Sequence, residues 1–210
     1  MKKADQFFSE EERKKIEAAV HAVECCTIGE VAVMVVDSSD EYREASMLGG
    51  IFLAAVASFS IVEIFFSASL TYFIPLSVVL SFLFRRFFSM LPELKIAFIG
   101  PVRKEEAVRD RAVRAFYEKG LHKTKANTGV LFFMSLLERK VWVLADKGIY
   151  EKIDQETLNS FALTVSQGVK DNRACDALCS ALDAAGKVLS QHFPLEPGDT
   201  NELPNAVITK

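Results

Sequence analysis

The residues best suited to chemistry lie where apolar runs begin and end. Glu30 precedes Val31–Val36, Asn127-Thr128-Gly129 opens a second apolar run, and Glu138 and Asp146 flank a third. Asp and Asn side chains, together with backbone carbonyls, are the hard oxygen donors that Ca2+ or Mg2+ takes. Ligand sites in α/β sheets gather at strand ends and the loops there, which makes Glu30, Asn127 and Asp146 the candidate metal ligands. The competing reading is that the same residue types only make turns and caps. A metal-dependent hydrolase, in its simplest form a weak phosphatase, would need Asp146 with Asn127 or Glu30 in one pocket.

Other constellations are absent from the sequence. There is no G-x-S-x-G elbow, P-loop or G-x-G-x-x-G. The three histidines, His21, His122 and His192, are scattered and not paired at ligand spacing. Cys175 and Cys179 would share a helix face and, with Cys25-Cys26, supply four thiolates. Structural zinc sites draw instead on C-x-x-C knuckles in turns, and the flanks Ala174, Ala177 and Leu178 read as helix interior. Free, reduced thiols are therefore expected, and with them no oxidising compartment. Net charge is −3 with no long run of one sign, which speaks against a nucleic-acid partner.

One helix, over Val102–Gly120, carries a row of cations: Arg103, Lys104, Arg109, Arg111 and Arg114. Such a row suits anionic lipid headgroups or a protein partner, and Glu105, Glu106 and Asp110 make an ordinary solvated face the alternative. Arg109, Arg111 and Arg114, with His122 and the turn residues Glu138 and Arg139, form the candidate interaction set.

These residues are positioned by a simple series of elements. Ser9 and Glu12 have the spacing of a capping box, and Ile16, Val20 and Val23 line the helix that follows. Glu30–Asp37 reads as a buried strand. Leu94–Ile99 is a short apolar piece before Gly100-Pro101. The helix over Val102–Gly120 has Val108, Ala112, Ala115 and Phe116 inside and Gly120 as its C-cap. Gly129–Leu137 and Val141–Ala145 form a hairpin, and helices follow over Glu151–Val169 and Ala174–His192. This order describes a small mixed sheet flanked by helices, an α/β/α sandwich.

Into that series is set a long apolar stretch. Met47–Ala68 contains one charge, Glu63, and Leu70–Phe84 is followed by Arg85-Arg86. A spanning helix needs about 20 apolar residues, so the stretch fits two passes with a turn near Ser67-Ala68-Ser69. Glu63 would sit in the last turn of the first pass, close enough to the far interface to reach water. Gly49-Gly50 and Ala54-Ala55 offer a small-residue surface, either for another helix or for the pair's own contact. Cations flank both outer ends (Lys2, Lys3, Arg13, Lys14, Lys15 and Arg43 before; Arg85, Arg86, Lys95, Arg103 and Lys104 after), and none lies in the tip. The positive-inside rule then places both ends in the cytoplasm. The first residues lack an apolar h-region and a small-residue cleavage site, so a signal peptide is not expected.

The segment Gly120-Leu-His-Lys-Thr124, then Thr128-Gly-Val-Leu-Phe-Phe-Met-Ser-Leu-Leu-Glu-Arg-Lys-Val-Trp-Val-Leu-Ala-Asp-Lys-Gly-Ile149, resembles the TPM domain. It is most similar to the bacterial branch with a transmembrane hairpin inside the domain, and His192-Phe-Pro194 and Asp199-Thr-Asn-Glu-Leu-Pro204 resemble that branch's tail. The resemblance implies an α/β/α sandwich, a habit of serving the assembly or repair of membrane complexes, reports of acid phosphatase activity, and Ca2+ binding near strand ends. An Asp-Asn-Gly pattern common in other branches stands here as Asn127-Thr128-Gly129, one carboxylate short. The expected divisions are a first part of the α/β domain at 1–46, a hairpin at 47–91, a second part at 92–193 and a loose tail at 194–210. The expected role is a non-enzymatic accessory or assembly factor for a membrane protein complex, anchored in the cytoplasmic membrane with its α/β domain inside. The alternatives are the weak phosphatase, or a module that binds a divalent ion or small ligand without turnover.

Overall fold

The computed structural model describes residues 3–65, 70–124, 126–195, 201 and 205–209. The chain forms two compact units: residues 1–39 with 105–210, and residues 40–104.

In the first unit, α1 (Glu10–Glu24) begins at the capping box, with Ser9 and Glu12 each accepting from the other's backbone N–H. The sheet has four strands in the order β3-β2-β1-β4, with β1 Glu30–Val36, β2 Gly129–Ser135, β3 Lys140–Ala145 and β4 Ile208–Thr209. β1 runs parallel to β2 and β4, while β2 and β3 are antiparallel. All seven residues of β1 and of β2 are buried, as continuous apolar strands covered on both faces should be. Val31, Val33, Val35, Val130, Phe132 and Met134 face one core, built with α1, α7 (Gln155–Lys170) and α8 (Ala174–His192). Ala32, Met34, Val36, Leu131 and Phe133 face the other, with Val108, Ala112, Ala115 and Phe116 of α5 (Pro101–Glu118). The α/β/α sandwich is thus as the patterning indicated.

Three details differ from the sequence reading. The helix expected over Glu151–Val169 begins only at Gln155, as α7, because Asp154 caps it by accepting from the Thr157 N–H at 2.6 Å; the short α6 (Lys147–Tyr150) precedes it. The strand expected to run to Leu137 stops at Ser135, and the turn places Arg139 at φ 53. The tail is tied at both of its described ends. Thr27 bridges Pro194, and Ile208–Thr209 join the sheet because Ile208 supplies one apolar residue to the α5-side core. Residues 196–200 and 202–204 lie outside the described residues.

A close approach explains one residue of the strand-opening motif. A Cβ on Gly129 would lie 2.3 Å from the Leu121 carbonyl oxygen in the 3-10 turn Leu121–Lys123, so the first position of β2 has room only for glycine.

The second unit is a helix pair, α2 (Arg43–Phe65) and α3 (Leu70–Met90), followed by α4 (Pro92–Ala97), which makes a short helix of the apolar piece before Gly100. Pro75 lies within α3. The turn expected near Ser67-Ala68-Ser69 falls outside the described residues. Gly50, Ala54, Ser58 and Val62 recur every fourth residue along α2 and are all buried. This settles which contact the small residues serve: a Cβ on Gly50 would stand 2.8 Å from the Arg85 backbone nitrogen, so the stripe seats α3 itself. Gly50→Val is expected to cost about 1–3 kcal/mol by overpacking, seen as a lower SDS midpoint in mixed-micelle unfolding. An unchanged midpoint would refute this seating. At the foot of the unit, Arg103 pairs with Asp40, reaches Glu44 at 3.2 Å and lies 5.5 Å from the centre of the Tyr42 ring. Burial would raise the Asp40 carboxyl, but Arg103 and the N–H groups of Glu41 and Tyr42 outweigh it and hold it low. Arg103, expected among the outward cations, therefore staples the two ends of the insertion together.

Candidate functional site

Two ends of the sheet gather polar groups. At the amino ends of β1 and β2, the register pairs Glu30 with Gly129, and the Asp146 N–H donates to the Gly129 carbonyl at 2.8 Å. Glu30, the Asn127–Gly129 turn and Asp146 therefore follow one another across three neighbouring strands, as the strand-end reading required. Their local bonds are those of turns. Asn127 adopts φ 54 and accepts from the Gly148 N–H at 3.1 Å; Thr128 donates its hydroxyl to the Ile28 carbonyl at 3.0 Å. One Asp146 oxygen caps α6 through the Lys147 N–H at 2.7 Å, and the other is buried with no hydrogen-bond partner among the described residues. Calcium takes about six to eight oxygens. Two carboxylates and one amide would supply part of that set, the rest being backbone carbonyls and water; among the described residues no three His, Cys, Asp or Glu side chains gather to hold an ion.

Glu24, which the sequence reading passed over, belongs to this same end. It is buried at the close of α1, accepts from the Val31 N–H at 3.2 Å and from the Asn201 side chain at 3.0 Å. Burial pushes its carboxyl up to about 7; the Val31 N–H pulls the other way, and the charge of Glu30 adds to the rise. No motif marks Glu24. Its only sequence signal is its place one turn before a break into a buried strand.

At the carboxyl ends of β1 and β2 lies a different cluster. Glu138 is only 6% exposed: it accepts from the Ser39 N–H at 3.0 Å and from the Ser135 hydroxyl, while Ser39 donates to Ser135 at 2.8 Å. Beside it a cleft of about 470 Å³ is lined by Asp37, Ser38, Arg111, Arg114 and Glu118. Arg111 is 12% exposed and lies 3.5 Å from Glu118, and Asp37 accepts the Ala4 N–H. An anion seated between the two arginines would meet both carboxylates, so the cleft neutralises itself; Ser38 on its wall donates its hydroxyl to Glu138 at 3.5 Å.

The remaining interaction candidates lie apart. Arg109 is exposed beside Asp110 at 3.8 Å, and Arg139 is exposed in the β2–β3 turn. His122 is half-buried against the Tyr117 ring at 4.9 Å, with its Nδ1 lacking a hydrogen-bond partner. Asp37 is a lining residue that the sequence reading did not select, although its place at the carboxyl end of a buried strand was the available signal.

Residues 93–188 match the family model of the TPM domain. Residues 93–188 carry a TPM domain. The match takes in α5, β2, β3, α6, α7 and most of α8; α1, β1 and β4 lie outside it, although they complete the same sheet. No curated protein sequence matches the chain. Among solved structures, the NMR structure of the BA42 protein from the psychrophilic bacterium Bizionia argentinensis is similar, with a TM-score of 0.63 over 100% of both chains at 20% identity. At that identity the likeness speaks for the fold alone and not for an activity.

Proposed function

We propose that this TPM-domain protein is anchored in the cytoplasmic membrane by the α2–α3 hairpin. On this reading its α/β unit, on the cytoplasmic side, serves as a non-enzymatic accessory or assembly factor for a membrane protein complex. The observation that carries the reading is the hairpin's surface. Both helices are long and apolar enough to cross a bilayer, yet only 28% and 6% of their apolar windows are buried. Leu48, Phe52, Phe59 and Ile64 on α2, and Ile74, Val79 and Phe82 on α3, are exposed. A soluble protein rarely shows so large an apolar surface, and hydrocarbon is a solvent that removes its cost. The exposed Arg109 and Arg139 support an interaction role.

Sidedness has a direct readout. Cys25 and Cys26 are exposed, while Cys175 is buried and its thiol is pushed up to about 11 by burial, so the thiolate that reacts is scarce there. A membrane-impermeant maleimide is expected to leave intact cells unlabelled and to label Cys25 and Cys26 after lysis. Labelling of intact cells would reverse the topology. The role itself is tested by affinity purification of the tagged, detergent-solubilised chain from its native membrane. A stoichiometric membrane complex, lost with Arg109→Glu plus Arg114→Glu, is expected; a solitary protein would overturn the accessory reading.

A further inference from the structure

A second cleft, of about 520 Å³, opens in the α/β unit between the β2–β3 turn, the last turn of α7 and the segment before α1. Phe7, Leu136, Val141 and Val169 give it apolar walls, and Arg139, Lys140 and Lys170 bring three cations to it with no carboxylate among its lining residues. Lys140 is held by Glu105 at 2.9 Å. Arg139 and Lys170 have no carboxylate partner among the described residues. Lys170 alone would be the ordinary complement of a helix C-terminus. Arg139 and Lys140 come from a different element, so that explanation does not reach them.

From this pairing of an apolar trough with unmatched positive charge, we propose that the cleft binds a single-chain anionic amphiphile, a carboxylate on a short hydrocarbon body. The volume is that of a small-molecule site. The hydrocarbon would lie on Phe7, Leu136, Val141 and Val169, displacing water from apolar surface. The carboxylate would sit between the Arg139 guanidinium, which suits it bidentately, and the Lys170 ammonium. This goes beyond anchoring and partner binding: it gives the TPM domain a ligand of its own, in the cleft beside the β2–β3 turn.

The test uses the full chain in neutral maltoside micelles, methyl-labelled at methionine, with octanoate as the probe. Met134 lines the cleft, and its methyl resonance is expected to shift saturably with octanoate. Acetate, which has the charge without the body, and octan-1-ol, the body without the charge, are expected to bind at least tenfold more weakly. Arg139→Glu plus Lys170→Glu is expected to weaken octanoate at least tenfold while the chain stays folded, its melting temperature lowered by only a few degrees through the lost cation at the end of α7. Equal shifts with octanoate and octan-1-ol, or undiminished binding by a folded double variant, would overturn the proposal. Should the double variant not fold, Arg139→Gln at the exposed turn replaces it: about threefold weakening is expected, and no change refutes the site.

Discussion

Glu138→Leu is expected to destabilise the α/β unit by about 3 kcal/mol, the largest single-residue effect outside the apolar cores. The carboxylate accepts from the Ser39 N–H at 3.0 Å and from the Ser135 hydroxyl in a pocket closed to water. Charge-assisted bonds are each worth about 1.5–3 kcal/mol, and a buried donor left alone costs about 1–3 kcal/mol. Ser39 donates its hydroxyl to Ser135 at 2.8 Å, so the loss falls on the Ser39 N–H and on the Ser135 hydroxyl, both of which donate to Glu138. For a chain of this size, 1 kcal/mol moves the melting temperature by about 2–4 °C, so a drop of about 6–12 °C should follow, monitored through Trp142 fluorescence. Glu138→Gln keeps an acceptor for Ser39 and should fall between. A leucine variant melting within about 2 °C of the parent would show that Glu138 is not a structural clasp.

Glu24→Gln should act in the opposite direction, and only in part of the pH range. Burial raises the Glu24 carboxyl from its ordinary 4.5 to about 7. Between these values the folded chain keeps a proton that the unfolded chain releases. Stability contributed by that proton is complete below about 4.5, is lost as pH rises through about 7, and changes little beyond. Glutamine keeps the oxygen facing the Val31 N–H and carries no charge to desolvate. The variant should therefore match the parent near pH 4.5 and outlast it increasingly up to pH 8. Melting curves of both proteins at half-unit pH steps would show the divergence. A constant gap across the range would mean that Glu24 does not titrate in the folded chain.

Both residues show where sequence reading reaches and where it stops. The capping box at Ser9, the inner stripes of α1 and α5, the two seven-residue strands and the long apolar stretch all depend on local order, and periodicity registers each of them. Glu138 sits in a turn between strands, where a charged side chain ordinarily faces water. Its burial depends on Ser39, 99 positions away in the chain. Glu24 closes a highly charged helix, and what buries it includes Asn201 from the tail. The Gly49-Gly50 question was open for the same reason: only the position of Arg85 on the facing helix decides it. The strand-end row of Glu30, Asn127 and Asp146 was legible as a row, but the bonds its residues make, such as Asp146 on the Lys147 N–H, were not.

The insertion also imposes a schedule on synthesis. β1 lies inside the sheet, with β2 on one side and β4 on the other, yet both partners are encoded after the α2–α3 hairpin. At about 5–20 residues per second, the ribosome takes roughly 5–20 s to travel from Val36 to Gly129. Throughout that interval β1 is an apolar strand with two open edges, the form most prone to pair with other chains. On the proposed anchoring, the helix pair emerges during the same interval and would reach the translocon first. The nascent chain would then be committed to its bilayer before the sheet can close, and a delay in targeting would expose β1 for longer.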